Sequence, residues 1–142
     1  MLVSWGDKYA TGIPLIDNQH RELVNLTNEL YKACRGGNAA IGAAFKETMS
    51  RMVKYVSFHF STELKLLEEI GYPDYREHKA EHTKLINDIL EAAKDFDGGK
   101  KFVPFYFTST LKDWVFGHIA VSDKKYAFFV REQKKKGLLK DL

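Results

Sequence analysis

Cysteine is almost missing from this chain. The single Cys34 has no partner for an intrachain disulfide and leaves no room for a Cys-x-x-Cys motif, which fits a reducing compartment. Long apolar runs are missing as well: no uninterrupted stretch approaches the ~20 residues that a membrane span requires. The opening residues, Met1-Leu2-Val3-Ser4-Trp5-Gly6-Asp7, carry no basic stretch followed by an apolar one, so a secretory signal is not expected. These absences together point to a cytoplasmic protein with no membrane contact. A strong excess of one charge is also lacking. The formal charge is +3, and much of it sits late, in Lys134, Lys135, Lys136 and Lys140. Cations there suit the carbonyl end of a helix. Acidic residues are interspersed almost everywhere else, so no broad basic face forms and nucleic acid is not an expected partner.

What is present suits one folded unit. The 142 residues are enough to bury a core, and 44% hydrophobic residues are too many for a disordered chain. Residues 1–16 contain Gly6, Gly12 and Pro14 without a helical period, and read as an extended arm pinned by Trp5, Tyr9 and Ile13. A bundle is expected over residues 17–135 and a tail over 136–142. The first helix is expected from Asp17, as N-cap, to Cys34, with a stripe of Ile16, Leu23, Val24, Leu26 and Leu30. Arg35-Gly36-Gly37-Asn38 ends it. The second is expected from Ala40 to Ile70, carrying Phe45, Met49, Met52, Val56, Phe60 and Leu67. Gly71-Tyr72-Pro73-Asp74 is a stop followed by a new start. The third is expected from Asp74 to Phe96 with Leu85, Ile86 and Ile89 inside, broken by Asp97-Gly98-Gly99. The fourth is expected from Phe102 to Lys135, burying Leu111, Trp114, Val115, Ile119 and Val121. Four amphipathic helices on short glycine-containing turns make an all-α, up-down-up-down four-helix bundle.

The chemistry lies in five histidines: His20, His59, His78, His82 and His118. His78 and His82 are four residues apart, a rise of ~6 Å and a rotation of only ~40° on a helix, so both rings project from one face. His59 and Glu63 share that spacing, and Asp123 follows His118 by five. Taken singly each feature is weak, because a lone core histidine is usually just hydrogen-bonded and a His-x-x-x-Glu pair can be a surface contact. Jointly they differ. Every helix contributes, no histidine is left over, and the positions alternate as an antiparallel bundle requires. All five can meet at one level near one end, where a metal site is the natural reading.

The motifs Asp17-x-Gln19-His20-x-x-Leu23, His59-Phe60-x-x-Glu63, Tyr72-Pro73-x-x-x-x-His78-x-x-x-His82 and Trp114-x-x-x-His118-Ile119-x-x-x-Asp123-x-x-Tyr126 resemble the hemerythrin family. The arm with Trp5 and Gly12-Ile13 resembles its bacterial members. The resemblance spans about residues 5–126 and all seven ligand positions. One departure is Leu64, where many members carry a second glutamate.

The resemblance implies two non-haem iron ions with a bridging oxo or hydroxo group. It implies that His78, His82 and His118 hold a saturated iron. His20 and His59 then hold an iron with one vacant position, and Glu63 and Asp123 bridge the two. Reversible binding of dioxygen at that vacancy, for storage, transport or delivery, is the implied function. An oxygen-consuming enzyme or a signalling protein is the partner such a role would serve. A site rich in neutral imidazoles favours binding over catalysis, whereas carboxylate-rich di-iron bundles support oxidation of substrates. Glu81, next to His82, faces away from the metals on this reading. The alternatives are oxygen or redox sensing through a partner, and turnover of peroxide or nitric oxide at the open iron. Trp114, Ile119, Phe60, Met52 and Val24 are candidate walls of the pocket, and Tyr72 and Tyr126 candidate donors near it. One tension is geometric: five residues of ideal α-helix turn ~500°, so Asp123 reaches the face of His118 only if the helix is locally distorted.

Overall fold

The computed structural model describes residues 4–34, 38–99 and 103–139. Among them the chain is all-helical: α1 spans Pro14–Ala33, α2 Asn38–Glu69, α3 Tyr75–Asp97, α4 Val103–Gly117 and α5 Asp123–Lys135. Between α4 and α5 the five residues His118–Ser122 form a π turn, so α4 and α5 make one long fourth rod with an insertion. Helix α1 packs on α2 and α4, and α3 packs on the same two, which is the square of an up-down-up-down bundle. The segments 35–37 and 100–102 of two expected connections, with Phe102, and the terminal Lys140 lie outside the described residues.

The turn at Gly71 shows why the chain reverses where it does. Gly71 has φ +67, a left-handed conformation that costs a residue with a Cβ but not glycine. Its N–H donates to the Glu68 carbonyl at 3.2 Å, and the N–H of Tyr72 donates to Leu67 at 3.0 Å. Those two bonds are a Schellman close, and Tyr72 packs beside Leu67 in the same apolar cluster. Pro73 then prevents continuation.

The start of α1 differs from expectation. The helix begins at Pro14, three residues before Asp17, with Ile13 as the N-cap. Proline at the first position explains this, since its fixed φ suits a helix and its missing N–H is no loss there. Asp17 instead faces back over the first turn. Its carboxylate accepts from Thr11 N (2.7 Å), Thr11 Oγ1 (2.8 Å) and Gly12 N (3.1 Å), tying down the incoming segment. That segment is not wholly extended, because Asp7–Tyr9 form a 3-10 turn. Its anchors are the expected ones: Tyr9 is fully buried, stacked on Trp5 and tilted against Phe116.

The core divides in two. A large cluster runs through Leu23, Leu30, Phe45, Met52, Leu85 and Leu111. A smaller one at the opposite end joins Ile13, Ile16, Leu67, Tyr72, Tyr126 and Val130. Along each helix the chemistry-bearing residues fall where one cluster gives way to the other, so a polar layer lies between an apolar floor and an apolar cap. Val121 is 55% exposed and not part of the core, because the extra residue of the π turn carries it outward while Asp123 and Tyr126 turn in.

Candidate metal centre

All seven residues singled out from the sequence converge in that layer. His20, His59, Glu63 and Asp123 are fully buried, and His78, His82 and His118 nearly so. Their arrangement is set by the two carboxylates. Glu63 Oε1 lies 2.5 Å from His78 Nε2 and 2.9 Å from His82 Nε2. Its other oxygen, Oε2, lies 3.2 Å from His59 Nε2 and 3.4 Å from His20 Nε2. Asp123 repeats the division: Oδ1 is 3.0 Å from both His78 and His118, and Oδ2 is 2.9 Å from His20. Each carboxylate thus divides its oxygens between two groups of rings: Glu63 Oε1 and Asp123 Oδ1 face histidines among His78, His82 and His118, while Glu63 Oε2 faces His20 and His59 and Asp123 Oδ2 faces His20. Two groups of donor atoms result, each within 4.8 Å: Glu63, His78, His82 and His118, and His20, His59 and Glu63.

Asp123 reaches this place because of the π turn. Its N–H donates to the His118 carbonyl, an i→i+5 bond in place of the α-helical one. The extra residue per turn brings the i+5 side chain back to the face of His118. This local distortion resolves the mismatch of the five-residue spacing.

The contacts do not have the form of a finished hydrogen-bond network. His59 Nε2 and both Asp123 oxygens are buried without a hydrogen-bond partner among the described residues, although histidine nitrogens stand close to them. Acceptor lone pairs and imidazole nitrogens converge on shared space, which is the arrangement that cations satisfy.

The electrostatics agree. Two carboxylates, fully buried, demand compensating positive charge. In the chain without metal, that charge comes from protons on histidine. Burial acts to lower the His20 pKa, but Asp123 and Glu63 outweigh it and raise it to about 9. His78 goes the same way, to about 9. His118 is raised well above the usual histidine value by Asp123, Glu63 and Glu81, again against burial. His82 is lowered to about 4, chiefly by burial. Burial acts to raise the Glu63 and Asp123 carboxyls, yet both are held low, Glu63 by four imidazole hydrogen bonds and Asp123 chiefly by the His118 and His20 charges.

Two contributors, Gln19 and Glu81, were not assigned a role from the sequence. Gln19 Oε1 accepts from His59 Nδ1 at 2.7 Å, which leaves Nε2 of that ring free to face the site. Glu81 Oε2 accepts from His118 Nδ1 at 2.5 Å, and its Oε1 accepts from Ser122 Oγ at 3.0 Å. Glu81 does face away from the metal-facing nitrogens, as expected, but onto the outer nitrogen of His118. Tyr126 donates its hydroxyl to Glu63 Oε2 at 3.1 Å, so its place is at the site and not merely in the cap. Tyr72 sits edge-on to His78, with ring centres 6.4 Å apart. Trp114 stacks on His118 at 4.3 Å and Phe60 on His82 at 3.6 Å. Trp114 thus lies on the three-histidine side, not the two-histidine side where the pocket wall was expected, whereas Phe60 borders both, its ring 5.8 Å from that of His59.

The profile of the Hemerythrin HHE cation binding domain matches residues 11–127. The chain belongs to the hemerythrin family. Hemerythrin relatives cover nearly its whole length. It is 35% identical over 137 residues to a bacteriohemerythrin of Pseudomonas aeruginosa, covering 96% of this chain and 86% of the relative. With a bacteriohemerythrin of Methylococcus capsulatus the identity is 31% over 127 residues, covering 88% and 94%. A crystal structure of wild-type hemerythrin superposes with a TM-score of 0.82 at 29% identity, over 89% of this chain and 96% of that one. The four-helix fold is therefore shared with these relatives, and the buried histidine–carboxylate cluster of this chain could hold metal. Among the described residues no helix is long and apolar enough to cross a membrane.

Proposed function

We propose that this hemerythrin binds two non-haem iron ions and, through them, dioxygen reversibly, for storage, transport or delivery. The observation that carries the reading is the division of five imidazoles by two shared carboxylates. His78, His82 and His118 would hold one iron, His20 and His59 the other, with Glu63 and Asp123 common to both and an oxo or hydroxo bridge completing the pair. When bound, such an iron pair would supply the two electrons that reversible dioxygen binding requires. The protein's part is to fix and isolate the pair. Gln19 and Glu81 accept from the outer nitrogens of His59 and His118, so both rings would turn Nε2 toward the metal. The hydroxyl of Tyr126 steadies Glu63 on its two-histidine side. Complete burial of both carboxylates keeps bulk water from the layer.

Five neutral imidazoles and only two carboxylates stabilise highly oxidised iron less well than a carboxylate-rich set. Binding is accordingly the proposed role, not turnover. A cytoplasmic setting, supported by the buried free thiol of Cys34, and service to an oxygen-consuming enzyme or a signalling partner belong to the same proposal. The test is an absorption spectrum under air and then under vacuum, alongside iron analysis. About two irons per chain and a coloured band that appears in air and fades reversibly are expected. Zinc or a single iron after iron-replete expression overturns the proposal, and sustained consumption of oxygen, peroxide or nitric oxide replaces carriage with catalysis.

A further inference from the structure

The outer nitrogens of His118 and His59 meet different partners. Behind His118 stands a carboxylate, Glu81, at 2.5 Å. Behind His59 stands a neutral amide, Gln19, at 2.7 Å. The outer nitrogens of His20 and His82 are buried with no acceptor among the described residues. One half of the site is thus backed by a negative charge, and the other by a dipole. Glu81 is also tied to the bundle in a second way. It rises from α3, receives the Ser122 hydroxyl with its remaining oxygen, and so joins α3 to the last residue of the π turn. The same side chain orients a ring at the start of that turn and holds the end of it.

We propose that Glu81 is a positioning residue that biases the two halves unequally, making the three-histidine half the one that better stabilises oxidised metal. The inference rests on the iron reading given above. A carboxylate accepting the Nδ1 proton pulls that proton outward and raises the electron density that Nε2 can donate. A more electron-rich donor favours the more positive metal ion. Gln19 fixes the orientation of His59 equally well but adds no charge, so the second half lacks this bias. Solvent tempers the effect, since the Glu81 side chain is 45% exposed. Oε2 makes the short bond to His118 and Oε1 the bond to Ser122.

Two substitutions separate charge from clamping. In Glu81→Gln the amide oxygen still accepts from His118, so the ring stays oriented but the charge is gone. In Ser122→Ala the charge stays and only the clamp on the π turn is released. With iron loaded, Glu81→Gln is expected to keep about two irons per chain while its reduction potential shifts upward. Ser122→Ala is expected to leave the potential where it was. Glu81→Ala, which removes orientation and charge together, is expected to weaken metal affinity by about 10–100-fold, with Glu81→Gln recovering most of that loss. An unshifted potential in Glu81→Gln, or an equal shift in Ser122→Ala, overturns the proposal. A second readout needs no iron. Nitrogen-15 NMR of the metal-free chain should show a strongly deshielded Nδ1 proton on His118 that disappears in Glu81→Ala. Failure to take up iron would overturn the proposed function, and absence of that proton in the parent chain would overturn the role of Glu81, so the two failures are distinguishable.

Discussion

The two halves of the centre share their carboxylates and little else. On the three-histidine side, two rings come from neighbouring turns of α3 and the third from the π turn, and aromatic faces lie on them. Phe60 is parallel to His82 within 3°, and Trp114 to His118 within 15°. On the two-histidine side, His20 and His59 come from different helices and meet edge to face, 4.8 Å apart at 70°. That half has one fewer imidazole. The difference teaches that a symmetric four-helix frame can build an asymmetric centre simply by spending unequal numbers of donors on the two ends of the same carboxylates. Under the proposed function, the poorer half is where a small molecule is taken up and the richer half is held closed.

The broadest test removes what both halves share. Glu63→Ala should lose iron from both, and should cost the metal-free chain about 3–5 kcal/mol because the imidazoles around it lose their counter-charge. Urea unfolding measures the second effect, and retention of even one tightly bound iron would break the view of Glu63 as common to both halves. Metal removal by itself should also lower the melting temperature clearly, since binding is coupled to folding; identical melting curves with and without metal would count against the layer as the binding site. The next test sets the halves against each other. His59→Ala should retain about one iron and lose the response to air, because three imidazoles and both carboxylates remain intact on the far side. A His59→Ala protein that still holds two irons and colours reversibly would end the assignment.

A smaller effect is expected at Trp114. Trp114→Ala removes no donor, so iron content should stay near that of the parent chain. Loss of the ring over His118 admits water, and the oxygenated spectrum should decay faster, followed over hours in air. An unchanged decay would mean that Phe60 and the surrounding core shield the richer half without it. The smallest expected effect is on pH. His20 and His78 are raised to about 9 in the metal-free fold from an ordinary value of 6.5. The stability they contribute is full below pH 6.5 and disappears as pH rises to about 9. His82, lowered to about 4, completes its change below that window and does not oppose the trend. Metal-free protein should therefore lose stability between pH 6.5 and 9, while metal-loaded protein should not follow that curve. Chemical unfolding across the range decides it.

Much of the frame could be read from residues alone, and the reason is local. The apolar stripe of Leu23, Leu26 and Leu30, or the stop at Gly71-Tyr72-Pro73, depends on contacts within a turn or two. Spacing also places His78 beside His82 and His59 beside Glu63 with no knowledge of the neighbouring helices. What escaped the sequence depends on which helix faces which, and at what height. Glu81 meets His118 and Gln19 meets His59 across helix boundaries, so nothing near them in the chain reveals the partner. Trp114 sits one turn before His118 in sequence, yet the side of the centre it covers follows from the rotation of the whole rod. Asp123 was the exception: its spacing conflicted with an ideal helix, and the conflict itself marked the place where the helix is distorted. Val121 went wrong for the same reason, since a regular period was carried through a turn that is not regular.

The π turn sets the phase of everything that follows it. Up to His118 the fourth rod keeps one angular frame; beyond Ser122 it keeps another, advanced by a single residue. Were the same residues wound as uninterrupted α-helix, each later side chain would swing by about 100°. Asp123 would leave the centre, and in the same motion Tyr126 and Val130 would leave the apolar cap. The second carboxylate and the cap above it are therefore held in phase together by one wide turn. A change that straightened the turn while keeping its residues could not abolish the metal chemistry and spare the packing, so the irregular turn answers to two demands at once.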